Sequence, residues 1–138
     1  MMRFLLAVPA LVLGAALLDV RAADEENPVV ALVKSKVKDK TKPFARAVIF
    51  KVKAGTEKEF EDAFLSCAKA TKKEPGCIAY HFNRDVDEAG TFVVYEQFKS
   101  IAALEEHAKS KHVEDVLKKI GTLLDGDPKV KVFAILGE

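Results

Sequence analysis

The spacing of apolar residues changes several times along the chain, and each change marks an element. Residues 44–53 (FARAVIFKVK) are rich in β-branched and aromatic side chains and predict a first strand. Ala54-Gly55 ends it, and Thr56-Glu57-Lys58-Glu59 has the Thr-x-x-Glu form of a capping box at a helix start. Phe60, Ala63, Phe64, Cys67 and Thr71 then recur at helical spacing, with Glu and Lys between them. Pro75 stops that helix and Gly76 supplies the turn. Residues 77–86 (CIAYHFNRDV) read as a second strand, joined through Asp87-Glu88-Ala89-Gly90 to an antiparallel third strand over 91–98 (TFVVYEQF). Ser100 is placed to cap a second helix with Ile101, Leu104 and Ala108 on one side. A further helical piece over 111–124 carries Val113, Val116, Leu117, Ile120 and Leu124 as its inward stripe. Asp125-Gly126-Asp127-Pro128 breaks it, and residues 129–136 (KVKVFAIL) form the fourth strand.

The order β-α-β-β-α-β predicts an α+β, ferredoxin-like fold built from two split βαβ units. Helices then cover one face of the sheet. Strand alternation suggests that the other face carries apolar groups from among Val48, Phe50, Tyr80, Phe82, Val94 and Phe98. So much apolar surface calls for a cover, and a two-fold homodimer with its sheets face to face is the simplest one.

The first residues follow a different pattern. Met1-Met2-Arg3 precedes an apolar run of about 15 residues, shorter than a bilayer span requires. Small residues at Ala22-Ala23 and acidic ones at 24–26 follow it, the order of a secretory signal over residues 1–22. The expected location is therefore periplasmic or extracellular, with no stable membrane anchor after cleavage. Residues 23–43, with lysines at 34, 36, 38, 40 and 42, read as a solvated arm or linker, a short helix or edge strand being the alternatives. The domain proper is 44–138.

Charge narrows the function classes. The chain has 22 Lys and Arg against 21 Asp and Glu, a net +1, which argues against a general nucleic-acid binder. Its two cysteines, Cys67 and Cys77, would meet an oxidising compartment after export. Cys67 lies on the apolar helix face, so a buried free thiol competes with a disulfide. Cys and His show no metal-binding spacing, and no metal is expected.

Taken together, Gly55, Glu74-Pro75-Gly76-Cys77 leading to Tyr80, Tyr95-Glu96-Gln97-Phe98, and Ala103-Leu104-Glu105-Glu106-His107 followed by His112 resemble the antibiotic biosynthesis monooxygenase family. The resemblance covers residues 44–138. It implies a dimeric α/β barrel with a small pocket in each subunit, and oxidation of small phenols or quinols by O2 without metal, flavin or other cofactor. A non-catalytic binder of small hydrophobic molecules and an isomerase using the same pocket are the alternatives it leaves.

Cofactor-free oxygenation needs a base, a donor that steadies an oxyanion, and an apolar cavity. His107 stands at the family's Ala-Leu-x-x-His position and is the candidate base, or else a structural histidine at the helix–sheet junction. Glu96, in an apolar strand on the face of Val94 and Phe98, either orients His107 and meets a substrate hydroxyl or is a buried partner of Arg46 or Arg84. Tyr80 is either an oxyanion donor or a packed ring. His112 lines the pocket mouth or is solvated, Asn83 is a weaker pocket candidate, and His81 reads as a surface or helix-side residue. Phe98 is a substrate-side candidate where many relatives carry Trp. This chain has no Trp and no Asn in its first strand, which speaks against haem degradation.

Overall fold

The computed structural model describes residues 26–137, so the signal reading of residues 1–22 lies outside them. The elements run α1 (Pro28–Lys36), β1 (Phe44–Lys51), α2 (Glu57–Thr71), β2 (Cys77–Arg84), β3 (Thr91–Phe98), α3 (Ile101–Ala108), α4 (Lys111–Ile120) and β4 (Lys129–Ala134). The strands form one sheet in the order β2-β3-β1-β4, every neighbouring pair antiparallel. Each helical crossover therefore steps over one strand, which is the ferredoxin-like α+β arrangement.

The cross-strand register sorts the side chains. Arg46 faces Glu96, which faces Tyr80; Val48 faces Val94, which faces Phe82. These residues, with Phe44, Phe50, Phe92 and Phe98, share one face. The alternation is as expected, but the assignment of that face is corrected: it lies under the helices. Phe60, Phe64 and Cys67 from α2 and Val113, Val116 and Ile120 from α4 pack with Val48, Phe50, Tyr80, Phe92 and Val94 in the main core. Period-two spacing says which residues share a face, not which face receives the helices. The open face instead carries Ala45, Ala47, Ile49, Val93, Tyr95, Gln97 and Phe133, with His81, Asn83 and Lys131 among them.

Of the readings left open for residues 23–43, the short helix is the one found, over residues 28–36, and residues 23–25 lie outside the described residues. Asn27 caps α1 by accepting from the Val29 and Val30 amides at 2.9 and 3.4 Å, and Pro28 takes the first-turn position that needs no N–H. Val30 and Val33 are buried against Phe44, Phe98, Ile101 and Leu104, a second core cluster. Its lysines do lie in the polar part, where Lys34 pairs with Glu105 of α3 at 2.8 Å.

Two local expectations change. Thr56 precedes α2, but its hydroxyl donates to the Lys53 carbonyl at 2.7 Å, so the capping box does not close. Ser100 does cap α3, accepting from the Ala103 amide at 3.2 Å. Cys67 and Cys77 are both free thiols.

Candidate active site

Register alone puts an ion pair under the helices. Arg46 on β1 and Glu96 on β3 are direct cross-strand neighbours, both buried, and the Arg46 Nε donates to Glu96 Oε2. Such charges are costly to bury unless paired. The Arg46 guanidinium also lies 5.8 Å from the centre of the Phe98 ring, whose electron-rich face supports a cation. Phe98 thus supports the pair and also meets the His107 ring at 5.0 Å between centroids.

His107 arrives from α3, one turn beyond Leu104, and only 4% of it is exposed. Its Nε2 edge faces Glu96 Oε1 at 3.6 Å. Its Nδ1 edge meets both Glu74 carboxylate oxygens at 3.1 Å. Glu74 gets there because of Gly76: a Cβ on Gly76 would sit 2.4 Å from the Ala103 Cβ, so only glycine lets the α2–β2 loop lie against α3. The Lys99 amide, bonded to the Gly76 carbonyl at 3.0 Å, holds that approach.

Burial first, then the positive charges of Arg46 and His112, push the His107 imidazole down to about 3. The two carboxylates pull the other way, but Glu96 spends its charge on Arg46. The ring is therefore neutral at pH 7, and its single N–H serves either Glu74 through Nδ1 or Glu96 through Nε2. In the tautomer that donates from Nδ1, the Nε2 lone pair faces Glu96 Oε1 and is free to accept a proton. Burial likewise raises the Glu74 carboxyl above its ordinary value, with His112 opposing. Tyr80, buried beside this group, has its hydroxyl pushed far up by burial first and then by Glu96, so it stays protonated and acts as a donor.

Two hollows flank the imidazole. The first, about 120 Å³, has Arg46, Tyr80, Glu96 and His107 as its polar side and Val48, Phe50, Phe64, Val94, Val113 and Val116 as apolar walls. A dry cavity of about 150 Å³ admits a benzene ring, so this somewhat smaller hollow takes a single small aromatic group once its walls give slightly. Val29 and Val30 of α1 close part of it. The second, about 380 Å³, lies on the Nδ1 side among Glu74, Gly76, Ala103, Ser110 and His112.

Of the residues singled out from sequence, His107, Glu96 and Tyr80 come together around the first hollow. Glu96 is the buried partner of Arg46, and its other carboxylate oxygen lies 3.6 Å from His107 Nε2. Phe98 supports the site from behind and does not line the hollow. His112 belongs to the second hollow, its Nε2 2.6 Å from Glu74 Oε1 and 3.2 Å from the Ser110 hydroxyl. Asn83 is corrected: it is exposed on the open sheet face, its amide bonded to the His81 and Val93 carbonyls at 3.1 and 3.2 Å. His81 is exposed on that face beside Tyr95. Glu74 is the residue that sequence reasoning missed. Its only signal is the Glu-Pro-Gly turn, which does not say that the turn will reach α3.

The antiparallel sheet with its helices on one face and a buried cluster of ionisable groups between them defines an α+β fold of the ferredoxin-like class. More narrowly, the chain belongs to the antibiotic biosynthesis monooxygenase family, whose model matches residues 43–119. It is 29% identical over 99 residues to the uncharacterized protein sll1783 of Synechocystis, covering 72% of this chain and 67% of that one. Rv0793 of Mycobacterium tuberculosis is 35% identical over 68 residues, 49% of this chain and 66% of its own. The chain thus spans about two thirds of the length of these curated relatives. The solved structure of Rv0793 superposes with a TM-score of 0.65 at 28% identity, covering 70% of this chain and 97% of that one. A Caulobacter crescentus structure given provisionally to the same family superposes at 0.68, with 26% identity and coverage of 72% and 94%.

Proposed function

We propose that the protein is a cofactor-independent monooxygenase acting on a small phenol or quinol. The observation that carries this reading is the approach of His107 Nε2 to Glu96 Oε1 at 3.6 Å, at the edge of a small, largely apolar hollow. A phenolic hydroxyl placed between them supplies a proton. Transfer of that proton to Nε2 requires the ring's pKa to rise well above its resting value of about 3. The Glu74 carboxylate and the phenolate charge forming beside the ring favour that rise, while the Arg46 guanidinium and the Tyr80 hydroxyl steady the phenolate. That phenolate is electron-rich enough to reduce O2 by one electron. The resulting superoxide and phenoxyl radical join at a ring carbon as a peroxide, and loss of the ring proton with O–O cleavage leaves a quinone and water. One oxygen atom enters the product and the other leaves as water.

The provisional monooxygenase names of Rv0793 and the Caulobacter relative agree with this reading. The apolar part of the open sheet face supports a homodimer, and the leader-like residues 1–22 support action after export. The test is oxygen uptake by the purified protein against a panel of quinols and phenols. Saturable uptake that falls at least about a hundredfold in His107→Gln, in line with loss of a general base, is expected. Tight aromatic binding without uptake would replace the enzyme by a binding module, and oxygen-independent conversion would replace it by an isomerase.

A further inference from the structure

The Nδ1 side of His107 belongs to a second cluster that the reaction above uses only in part. Glu74, His107 and His112 each offer one ligand atom, and these atoms lie within 4.8 Å of one another. We propose that Glu74, His107 Nδ1 and His112 Nε2 form a binding site for a divalent first-row transition ion of the Zn2+ or Fe2+ kind.

Four observations support it. Two imidazoles and one carboxylate make a borderline-soft donor set that favours such ions over Mg2+ or Ca2+. Metal–ligand bonds of about 2.0–2.2 Å place tetrahedral ligand atoms about 3.4 Å apart. The separations of 3.1 Å from His107 to Glu74 and 2.6 Å from His112 to Glu74 lie below that value, and all three atoms lie within 4.8 Å of one another. Ligand spacing is therefore reached by adjusting the partly exposed His112 ring and the Glu74 carboxylate. The remaining nitrogen of His107 faces Glu96, which Arg46 anchors. A metal-bound imidazole characteristically gives its other N–H to a carboxylate, and here that carboxylate is already in place. Finally, the second hollow adjoins all three ligands and leaves room for further coordination. His107 and His112 stand five residues apart on either side of the α3–α4 break, so neither helix's period brings them together and the sequence shows no metal spacing.

Binding has a consequence for the first hollow. An ion on Nδ1 moves the ring proton to Nε2, where it donates to Glu96 and removes the lone pair that faces the substrate. The ion is then an off-switch for the base. This consequence rests on the reading of His107 as a base; the site does not.

The test uses the untagged full chain, stripped with a chelator and titrated with Co2+ alone. Visible d–d absorption of a low-coordinate cobalt site, saturating at one ion per chain and bleached by Zn2+, is expected. His112→Ala and Glu74→Gln, each checked for fold by circular dichroism, should weaken binding more than about tenfold, while His81→Ala should not change it. Cobalt that shows only its hydrated spectrum, or variants that bind as the parent does, would overturn the site. Where turnover is measurable, Zn2+ should slow the parent and spare His112→Ala; equal turnover with and without bound Zn2+ would remove the off-switch and leave the site.

Discussion

At the residue scale, the site is held by one buried ion pair. Arg46 and Glu96 satisfy each other, so removing either leaves a charge with no partner in a dry environment. Arg46→Met should cost about 3–5 kcal/mol, read from urea denaturation, and adding Glu96→Gln should recover much of that loss. His107 makes a second prediction, for metal-free protein. Its folded value of about 3 lies below the ordinary 6.5, so between those values the unfolded chain binds the proton first. Its stabilising contribution is full above pH 6.5 and is lost as pH falls toward 3, at up to about 1.4 kcal/mol per pH unit. Glu74 works in the opposite sense just above its ordinary 4.5, because its folded value is raised. Comparing the parent with His107→Gln between pH 7.5 and 5 isolates the histidine, and equal slopes would show that its ring is not held neutral. Glu96 was legible as a candidate because a carboxylate in an apolar strand is conspicuous, and His107 through the Ala-Leu-x-x-His resemblance. Glu74 was not, because an acid in an exposed-looking turn is ordinary.

At the element scale, the decisive contact is between the α2–β2 loop and α3. Gly76→Ala drives a methyl group into Ala103, so it should destabilise by about 1–3 kcal/mol and pull Glu74 away from His107. Ala103→Gly in the same chain should restore much of the melting temperature; a Gly76→Ala protein as stable as its parent would contradict the close approach. The six core elements of the ferredoxin-like unit were legible from period and breakers, and their ends shifted by only a few residues. Helix α1 was not. Its alternating lysines mask Val30 and Val33, and its worth comes from docking on Phe98 and Leu104, distant in sequence. Asn27→Ala should cost about 1 kcal/mol of α1 docking, visible as faster amide exchange over residues 28–36.

At the scale of the whole molecule, the faces of the sheet were correctly sorted but assigned the wrong way round. The choice depends on crossover handedness and helix docking, which the alternation of Val48, Val94 and Phe98 does not encode. The open face still has Ala47, Ile49, Val93, Tyr95 and Phe133 in a central band, less apolar than the sequence suggested and interrupted by Lys131 and His81. Light scattering should give twice the chain mass, falling to the single-chain mass in Ile49→Glu. A parent protein monomeric at every concentration would show that this face needs no cover. The substrate remained beyond sequence because it is set by a hollow whose walls come from all four helices and three strands.

Turnover under 18O2 with a simple quinol, followed by mass spectrometry of the product, tests the central claim most directly. One 18O atom per quinone, absent in His107→Gln, is the predicted result. Unlabelled product, or a label that survives loss of His107, would contradict oxygenation driven by this site.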